Sequence, residues 1–332
     1  MPRVRSLLAA ALVLTLVAPA ARATCGAEGC PFVREAFGSG GGRFAFDLRY
    51  MDVTQDALWN GSREVDLADV ISETEQHGEV ELFTRTRSWV GEGRARVNAD
   101  LEFSATLPYL QRKHRHWIAH TPSFNPSFVN EWEFEGLGDA TVLGHYRVFH
   151  RADGPAITLQ GGVKLPTGRR HVSGEALDNQ GIESTLEPSA RPGTGSTDWL
   201  AGLFVSQPLP WKNAMPLSAS VLARWNTRGT DDFKVGDEVQ VGLTGGYEAL
   251  DRVRLFGQIN YAAHGSEESA EASEHAHSGM RSLFLTPGVN VRVSQAVSVY
   301  GLVQLRAWGE SDAPSVAARN HWVFGTTYSL GR

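Results

Sequence analysis

Residues 135–169 read EGLGDATVLGHYRVFHRADGPAITLQGGVKLPTGR, and this stretch decides the fold. Its two halves alternate apolar with polar or small residues, and Tyr146 and Val148 share one face of the first half. A period of two predicts strands with one apolar and one polar face. The Asp-Gly pair in the connecting residues 151–155 is a strong hairpin signal. Both halves reach roughly ten residues, a length that is typical of outer-membrane β-barrels. The apolar residues that share one face of the second half are Ile157, Leu159, Val163 and Leu165.

The same alternation recurs along the rest of the chain and predicts about twelve strands in all. Short turns and long, polar loops alternate between them, and this segregation is typical of bacterial outer-membrane barrels, whose termini both lie in the periplasm. We therefore expect an all-β fold, a transmembrane antiparallel up-and-down β-barrel of about 12 strands. Besides the hairpin, the predicted strands are residues 43–53, 79–90, 94–110, 197–207, 217–227, 238–249, 252–264, 281–293, 297–308 and 319–330.

The N-terminal residues indicate export. Arg3 and Arg5 precede an apolar run at 7–17, and Ala21-Arg22-Ala23 forms an Ala-x-Ala cleavage site. This arrangement predicts a signal peptide over residues 1–23, because the apolar run is too short to span a membrane as a helix. Residues 24–42 are rich in glycine and are interpreted as a periplasmic N-terminal arm. Residues 43–332 are then expected to form the outer-membrane barrel.

Composition limits the partners. The formal net charge is −6, which argues against nucleic acid as a ligand. We expect outer-membrane lipid, a small-molecule solute and the barrel-assembly machinery as partners, although the C-terminal aromatic residue, Tyr328, stands four residues before the end. No cofactor is expected. Cys25 and Cys30 are the only cysteines, and the sequence leaves open a disulfide and a metal or redox site.

The polar phase of the predicted strands should face the barrel interior. Two interpretations stay open: these charges pair with one another and brace a narrow barrel, or they set the electric field that selects solutes. A barrel of about twelve strands is narrower than the wide porins, so a plug or a selective path is expected. The candidate lumen-lining residues are Asp47, Arg49, Asp100, Glu102, Arg147, Lys164, Arg224, Arg254, Arg292 and Arg306.

Two His-x-His pairs fall in predicted outer loops, His114 with His116 and His275 with His277. They are either solvated loop residues or a surface metal site, since imidazole pairs suit transition metals. Catalysis is not expected. No Gly-x-Ser-x-Gly elbow is present, and the serine, histidine and asparagine near residues 260–266 lack a recognisable motif.

Three segments carry a family resemblance. Residues 136–139 read GLGD, residues 163–168 read VKLPTG, and residues 193–196 read GTGS. In this order they resemble the family of outer-membrane transporters named for the MetA pathway of phenol degradation. The resemblance covers about residues 136–293, and its motifs mark strand ends rather than chemistry. It implies uptake of hydrophobic or aromatic compounds, and it brings no catalytic residues with it.

The sequence is therefore consistent with two functions. The first is an outer-membrane transporter or channel that passes small hydrophobic or aromatic compounds. The second is a non-transporting barrel that serves as a structural or surface-interaction protein, which the charged interior and long loops would also suit. Solute flux through the purified protein separates the two.

Overall fold

The computed structural model describes residues 42–74, 79–118, 128–174, 184–186, 189–268 and 279–331. The predicted signal peptide, nearly all of the N-terminal arm, both cysteines and the pair His275 and His277 lie outside these residues. No helix among the described residues is long and apolar enough to cross a membrane.

Strands make up most of the described chain. A single α-helix, α1 (Leu67–Thr74), and a short 3-10 turn at Thr230–Asp232 interrupt the strands of this part of the chain. The strands are β1 (Phe44–Gly61), β2 (Arg63–Glu64), β3 (Glu79–Arg96), β4 (Leu101–Ile118), β5 (Phe128–Leu137), β6 (Ala140–His150), β7 (Ala156–Leu165), β8 (Ser173–Gly174), β9 (Ser184–Thr185), β10 (Asp198–Gln207), β11 (Leu217–Trp225), β12 (Glu238–Leu250), β13 (Val253–His264), β14 (Met280–Arg292) and β15 (Val297–Leu330).

The sheet closes into a barrel. Neighbouring strands pair antiparallel in sequence order, and β15 also pairs with β1, which removes both open edges. The first part of β15 pairs with β14 up to Ser311, and the last part pairs with β1 from Ser311 onward. β15 therefore contributes two segments to the wall, one beside β14 and one beside β1. The wall then has about twelve segments, and the predicted fold class is confirmed.

Five details of the predicted strands were wrong. β1 continues to Gly61 instead of ending at residue 53, and the turn after β3 lies at residues 97–100 rather than 91–93. Asp100 therefore lies in a turn and not within a strand. β5 occupies part of a predicted loop, and β4 extends through His114 and His116, which were expected in that loop. β15 continues through the predicted loop at 309–318.

The wall of the barrel has two heights. Ala140 at the start of β6 pairs with Leu165 at the end of β7. The wall formed by these two strands therefore ends at this pair and is the lower part. Next to them, β4 continues to Ile118 and pairs with β5. At about 3.3 Å per residue, this extension adds roughly 33 Å of strand. We call the end with these extensions the loop end, and the end that holds Phe44 and Leu330 the turn end.

Apolar side chains face outward and polar ones face inward. Phe46, Leu255 and Trp322 are more than half exposed, whereas Asn260 and Gln304 are buried. This is the reverse of a water-soluble protein, and it matches the outer-membrane pattern of an apolar outer band around a polar interior. At the loop end, α1 packs Val70 against an apolar cluster that contains Leu58 and Val316.

Candidate functional site

An ion-pair chain lines the inner wall near the turn end. Arg49 Nη1 lies 3.2 Å from both Asp47 Oδ1 and Glu92 Oε2. Arg94 continues the chain, 2.6 Å from Glu92 and 3.3 Å from Glu102. Alternating signs at these distances compensate charges that burial would otherwise make costly. The arrangement therefore braces three neighbouring strands, β1, β3 and β4.

Asp47 also ties this chain to the closing strand. Tyr300 donates its hydroxyl hydrogen to Asp47 Oδ1 at 3.0 Å, and Thr327 donates to Asp47 Oδ2 at 2.7 Å. Tyr300 and Thr327 both belong to β15, which forms the seam with β1. The carboxylate of Asp47 is thus bonded to both sides of the seam.

The other candidate residues, Lys164 aside, fall into two groups. Arg224 and Arg306 lie on the inner wall, where Arg224 pairs with Glu238 at 3.4 Å and Arg306 stacks over Trp59 at 4.8 Å. The remaining four lie at the turn-end rim, on two separate parts of the wall. Arg147 donates to the Ala99 carbonyl, Asp100 lies within 4.0 Å of Arg147, Arg254 pairs with Glu248, and Arg292 donates to the Asp251 carbonyl.

Lys164 occupies the best-defined polar site. Its Nζ lies 3.0 Å from Asp139 Oδ2 and 2.7 Å from Asp198 Oδ2, and all three side chains are almost completely buried. Lys164 Nζ also donates to Thr194 Oγ1 at 2.5 Å. One buried ammonium therefore bridges two carboxylates from different strand ends.

This site joins the three motifs of the sequence. Asp139 comes from GLGD, Lys164 from VKLPTG and Thr194 from GTGS. Asp139 accepts hydrogen bonds from the backbone N–H of Gly168 at 2.9 Å and from that of Thr194 at 3.0 Å. A carboxylate can accept several such bonds at once, and charge-assisted bonds are the stronger kind.

The glycines of these motifs allow two backbone segments to come into direct contact. A Cβ on Gly168 would lie 2.7 Å from the Cα of Gly193 and 2.8 Å from the carbonyl carbon of Gly138. Neither distance leaves room for a side chain, so the two glycine backbones touch directly. The loop that follows β7 is consequently fastened to the point where β5 and β6 meet.

The same loop packs inside the tall part of the wall. Its residues Val172, Leu186 and Ala190 form an apolar cluster with Trp132 and Phe134 of β5. Arg112 of the adjacent strand β4 donates to the Ala190 carbonyl at 2.7 Å. This cluster was not predicted from the sequence, because both the loop and β5 were assigned to solvent.

A second apolar layer lies deeper in the barrel. Met215 belongs to the turn after β10, and its backbone N–H donates to the Gly246 carbonyl at 2.9 Å, which folds that turn against β12. The other members of the layer come from β13, β15, β1 and β3, which lie close together along the wall. The buried members of the layer are Met51, Val90, Met215, Phe256, Tyr300, Leu302 and Val323.

The residues considered for catalysis do not assemble into a catalytic group. Asn260 donates to Thr286, and His264 lies four residues along the same strand, roughly 13 Å away at 3.3 Å per residue. Among the described residues, no three His, Cys, Asp or Glu side chains are grouped so as to hold a metal ion.

No protein-family model matches this sequence, and no curated protein matches it either. Among solved structures, an outer membrane channel from Pseudomonas putida F1 is similar, with a TM-score of 0.53 and 12% identity over 91% of this chain and 98% of that one. At this identity, the similarity shows a shared fold alone.

Two further structures are similar at lower scores. A Pseudomonas aeruginosa FadL homologue gives a TM-score of 0.44 at 10% identity, over 94% of this chain and 100% of that one. The toluene transporter TodX of Pseudomonas putida gives 0.46 at 7% identity, over 93% and 96% of the two chains. Scores below 0.5 do not establish a common fold. Together with the outward apolar face, the first similarity identifies the chain as an outer-membrane β-barrel.

Proposed function

We propose that this protein is an outer-membrane channel for small hydrophobic or aromatic compounds. The observation that carries the proposal is the presence of two buried apolar clusters inside a barrel whose inner wall is largely polar. The cluster of Trp132 and Phe134 lies toward the loop end, and the layer around Leu302 lies toward the turn end. An apolar solute that moves along the barrel axis would therefore meet two apolar surfaces.

Further support comes from the motifs and from the fold. The three segments that resemble the phenol-degradation transporter family meet at Lys164 instead of being scattered over the barrel. The similar structure from Pseudomonas putida F1, with a TM-score of 0.53, is itself an outer membrane channel. In this proposal the chain is exported by its signal peptide, and both termini lie in the periplasm.

The ten candidate lumen residues take two roles in the proposal. A narrow barrel with both a braced wall and an apolar path favours selective passage over a wide aqueous pore. The residues that brace the inner wall through ion pairs and other polar or ring contacts are Asp47, Arg49, Glu102, Lys164, Arg224 and Arg306. The residues that form a charged rim at the turn end, where a solute would leave the barrel, are Asp100, Arg147, Arg254 and Arg292.

A direct flux measurement tests the proposal. The folded protein is reconstituted in liposomes, and the entry of toluene, phenol and benzoate is compared with that of a sugar of similar size. We expect faster entry of the aromatic compounds than through protein-free liposomes, with little sugar flux. Growth of a deletion strain on apolar carbon sources should fall in parallel.

The second candidate function is a non-transporting barrel with a structural or surface-interaction role. The dense ion pairing of Asp47, Arg49, Glu92 and Arg94 favours it, because such a network braces the inner wall of a barrel whether or not a solute passes. Absence of solute flux and of conductance with correctly folded protein would support this second function and would contradict the first.

A further inference from the structure

His114 and His116 meet on the inner wall of the barrel. They occupy alternate positions on β4, so both side chains point to the same face, and 3% and 1% of their surfaces are exposed. Their Nε2 atoms lie 2.5 Å apart. Neither residue takes part in the Lys164 site or in the turn-end ion pairs.

The hydrogen bonds around His114 favour one tautomer of its ring. Thr84 Oγ1 lies 2.6 Å from Glu81 Oε1 and 2.6 Å from His114 Nδ1. The threonine hydroxyl has one hydrogen, and the ionised carboxylate can only accept, so Thr84 donates to Glu81. It must then accept from His114, whose Nδ1 carries the hydrogen. In the neutral form of His114 the lone pair is therefore on Nε2, which faces His116.

This arrangement is the one that metal-binding histidines use. A metal-bound imidazole commonly donates its other N–H to an oxygen acceptor, and that acceptor is in turn held by hydrogen bonds, which orients the ring. The relay from His114 through Thr84 to Glu81 has that form. Imidazole nitrogens suit Zn²⁺, Cu²⁺ and Ni²⁺.

The surroundings suit a single ion between the two nitrogens. Metal–nitrogen distances of about 2.0–2.1 Å place two ligating nitrogens about 3 Å apart, so a small rotation of the rings is sufficient. Trp132 covers both rings, with centroid distances of 5.8 Å to His114 and 5.3 Å to His116. Among the neighbouring charged groups, Glu81 Oε1 lies 3.5 Å from His114 Nδ1, and the buried Arg112 precedes His114 by two residues on the same face of β4.

We propose that His114 and His116 bind a divalent transition-metal ion, Cu²⁺, Ni²⁺ or Zn²⁺, inside the barrel. The ion replaces the hydrogen of the Nε2–Nε2 hydrogen bond, and His116 then carries its ring hydrogen on Nδ1. Both Nε2 atoms thus supply a lone pair, and water or a donor atom of a passing solute completes the coordination. From the sequence, a metal site at this pair was considered only on the molecular surface, whereas the structure places the pair on the inner wall. The proposal does not depend on whether the barrel transports a solute.

The test uses the folded, tag-free protein in which His275→Ala and His277→Ala remove the second His-x-His pair. Cu²⁺ is titrated, and binding is followed by electron paramagnetic resonance and by tryptophan fluorescence. We expect one bound Cu²⁺ with hyperfine coupling to two nitrogens. Bound Cu²⁺ should quench Trp132 and thus remove about one ninth of the emission, if all nine tryptophans contribute equally.

Three variants make the result specific. His116→Ala should abolish the two-nitrogen signal, whereas the exposed control His171→Ala should retain it. Trp132→Phe should retain the resonance signal and lose the fluorescence change. If His116→Ala does not fold, the spectrum of the parent protein still decides, because it reports the number of nitrogen ligands. The proposal is overturned if the parent protein binds no Cu²⁺, or if folded His116→Ala binds it as the parent does. In that case the two histidines form only a hydrogen-bonded pair that shares a proton.

Discussion

Lys164 Nζ lies 2.7 Å from Asp198 Oδ2, and the two side chains are 2% and 0% exposed. Lys164 belongs to β7 and Asp198 to β10, and the two residues are directly opposite in the sheet register. Asp198 Oδ1 in turn accepts the backbone N–H of Thr227 at 2.9 Å. The pair therefore links three consecutive strand ends below the loop end.

Lys164→Met should destabilise the barrel strongly. Removal of the ammonium leaves two buried carboxylates without their cation, and such a loss costs about 3–5 kcal/mol. Urea unfolding, followed by the gel shift between folded and unfolded barrel, measures the change. Lys212→Met, an exposed control, should leave the midpoint unchanged, and Asp198→Asn should recover part of the loss in the Lys164→Met background. Equal stability of Lys164→Met and the parent would contradict the assigned role.

Gly168→Ala and Gly193→Ala should each loosen the loop after β7. The added Cβ would lie 2.7 Å or less from the backbone of the other glycine, and overpacking of this kind costs typically about 1–3 kcal/mol. Limited proteolysis of the loop should become faster. Gly161→Ala is the matched control, because a Cβ there has no atom within 4 Å. Equal cleavage rates for all three variants would show that the contact does not hold the loop.

Leu302→Ala should widen the apolar layer. The side chain is 3% exposed, and removing it from a packed interior costs about 2–5 kcal/mol of stability and leaves a cavity. Single-channel conductance in planar bilayers should rise. Leu305→Ala changes an outward residue that is 40% exposed, and it should leave conductance unchanged. A rise in the second variant and not in the first would place the constriction elsewhere.

Ile259→Arg should impair insertion into the membrane. Ile259 lies in the middle of β13 and is 46% exposed on the outward face. Arginine on the lipid face costs about 2–4 kcal/mol at the midplane and about 0–1 near the interfaces. Leu250→Arg, at the end of β12, is therefore the mild control. The amount of folded protein in the outer-membrane fraction measures both, and equal yields would show that Ile259 does not face lipid.

The sequence predicts the fold well where lipid surrounds the barrel. β14 was predicted at 281–293 and spans Met280–Arg292, because lipid requires an apolar residue at every second position. The pattern fails in β5 and in the upper part of β4. There the outward residues include Lys113 and Glu131, which form an ion pair at 2.6 Å. Because these outward positions are charged, the alternation of apolar and polar residues is absent and the sequence resembles that of a loop.

The turn after β3 was misplaced for a different reason. Gly91 and Gly93 flank Glu92 and look like a turn, yet all three belong to the strand. Glu92 forms ion pairs there with Arg49 and Arg94. Arg49 belongs to another strand, and an ion pair between strands cannot be predicted from the local sequence. The same limit applies to the Lys164 site. Its three motifs were recognised, but the pairing across to β10 depends on sheet register, which the sequence leaves undetermined.

The seam between β1 and β15 brings the two ends of the barrel domain together. Phe44 pairs with Leu330, and the Arg43 N–H donates to the Gly331 carbonyl at 2.6 Å. A short linker could therefore join residues 42 and 331, and new termini could be opened in the loop between β13 and β14. Such a circular permutant keeps every strand pair of the barrel, so its sheet order is independent of where the chain begins.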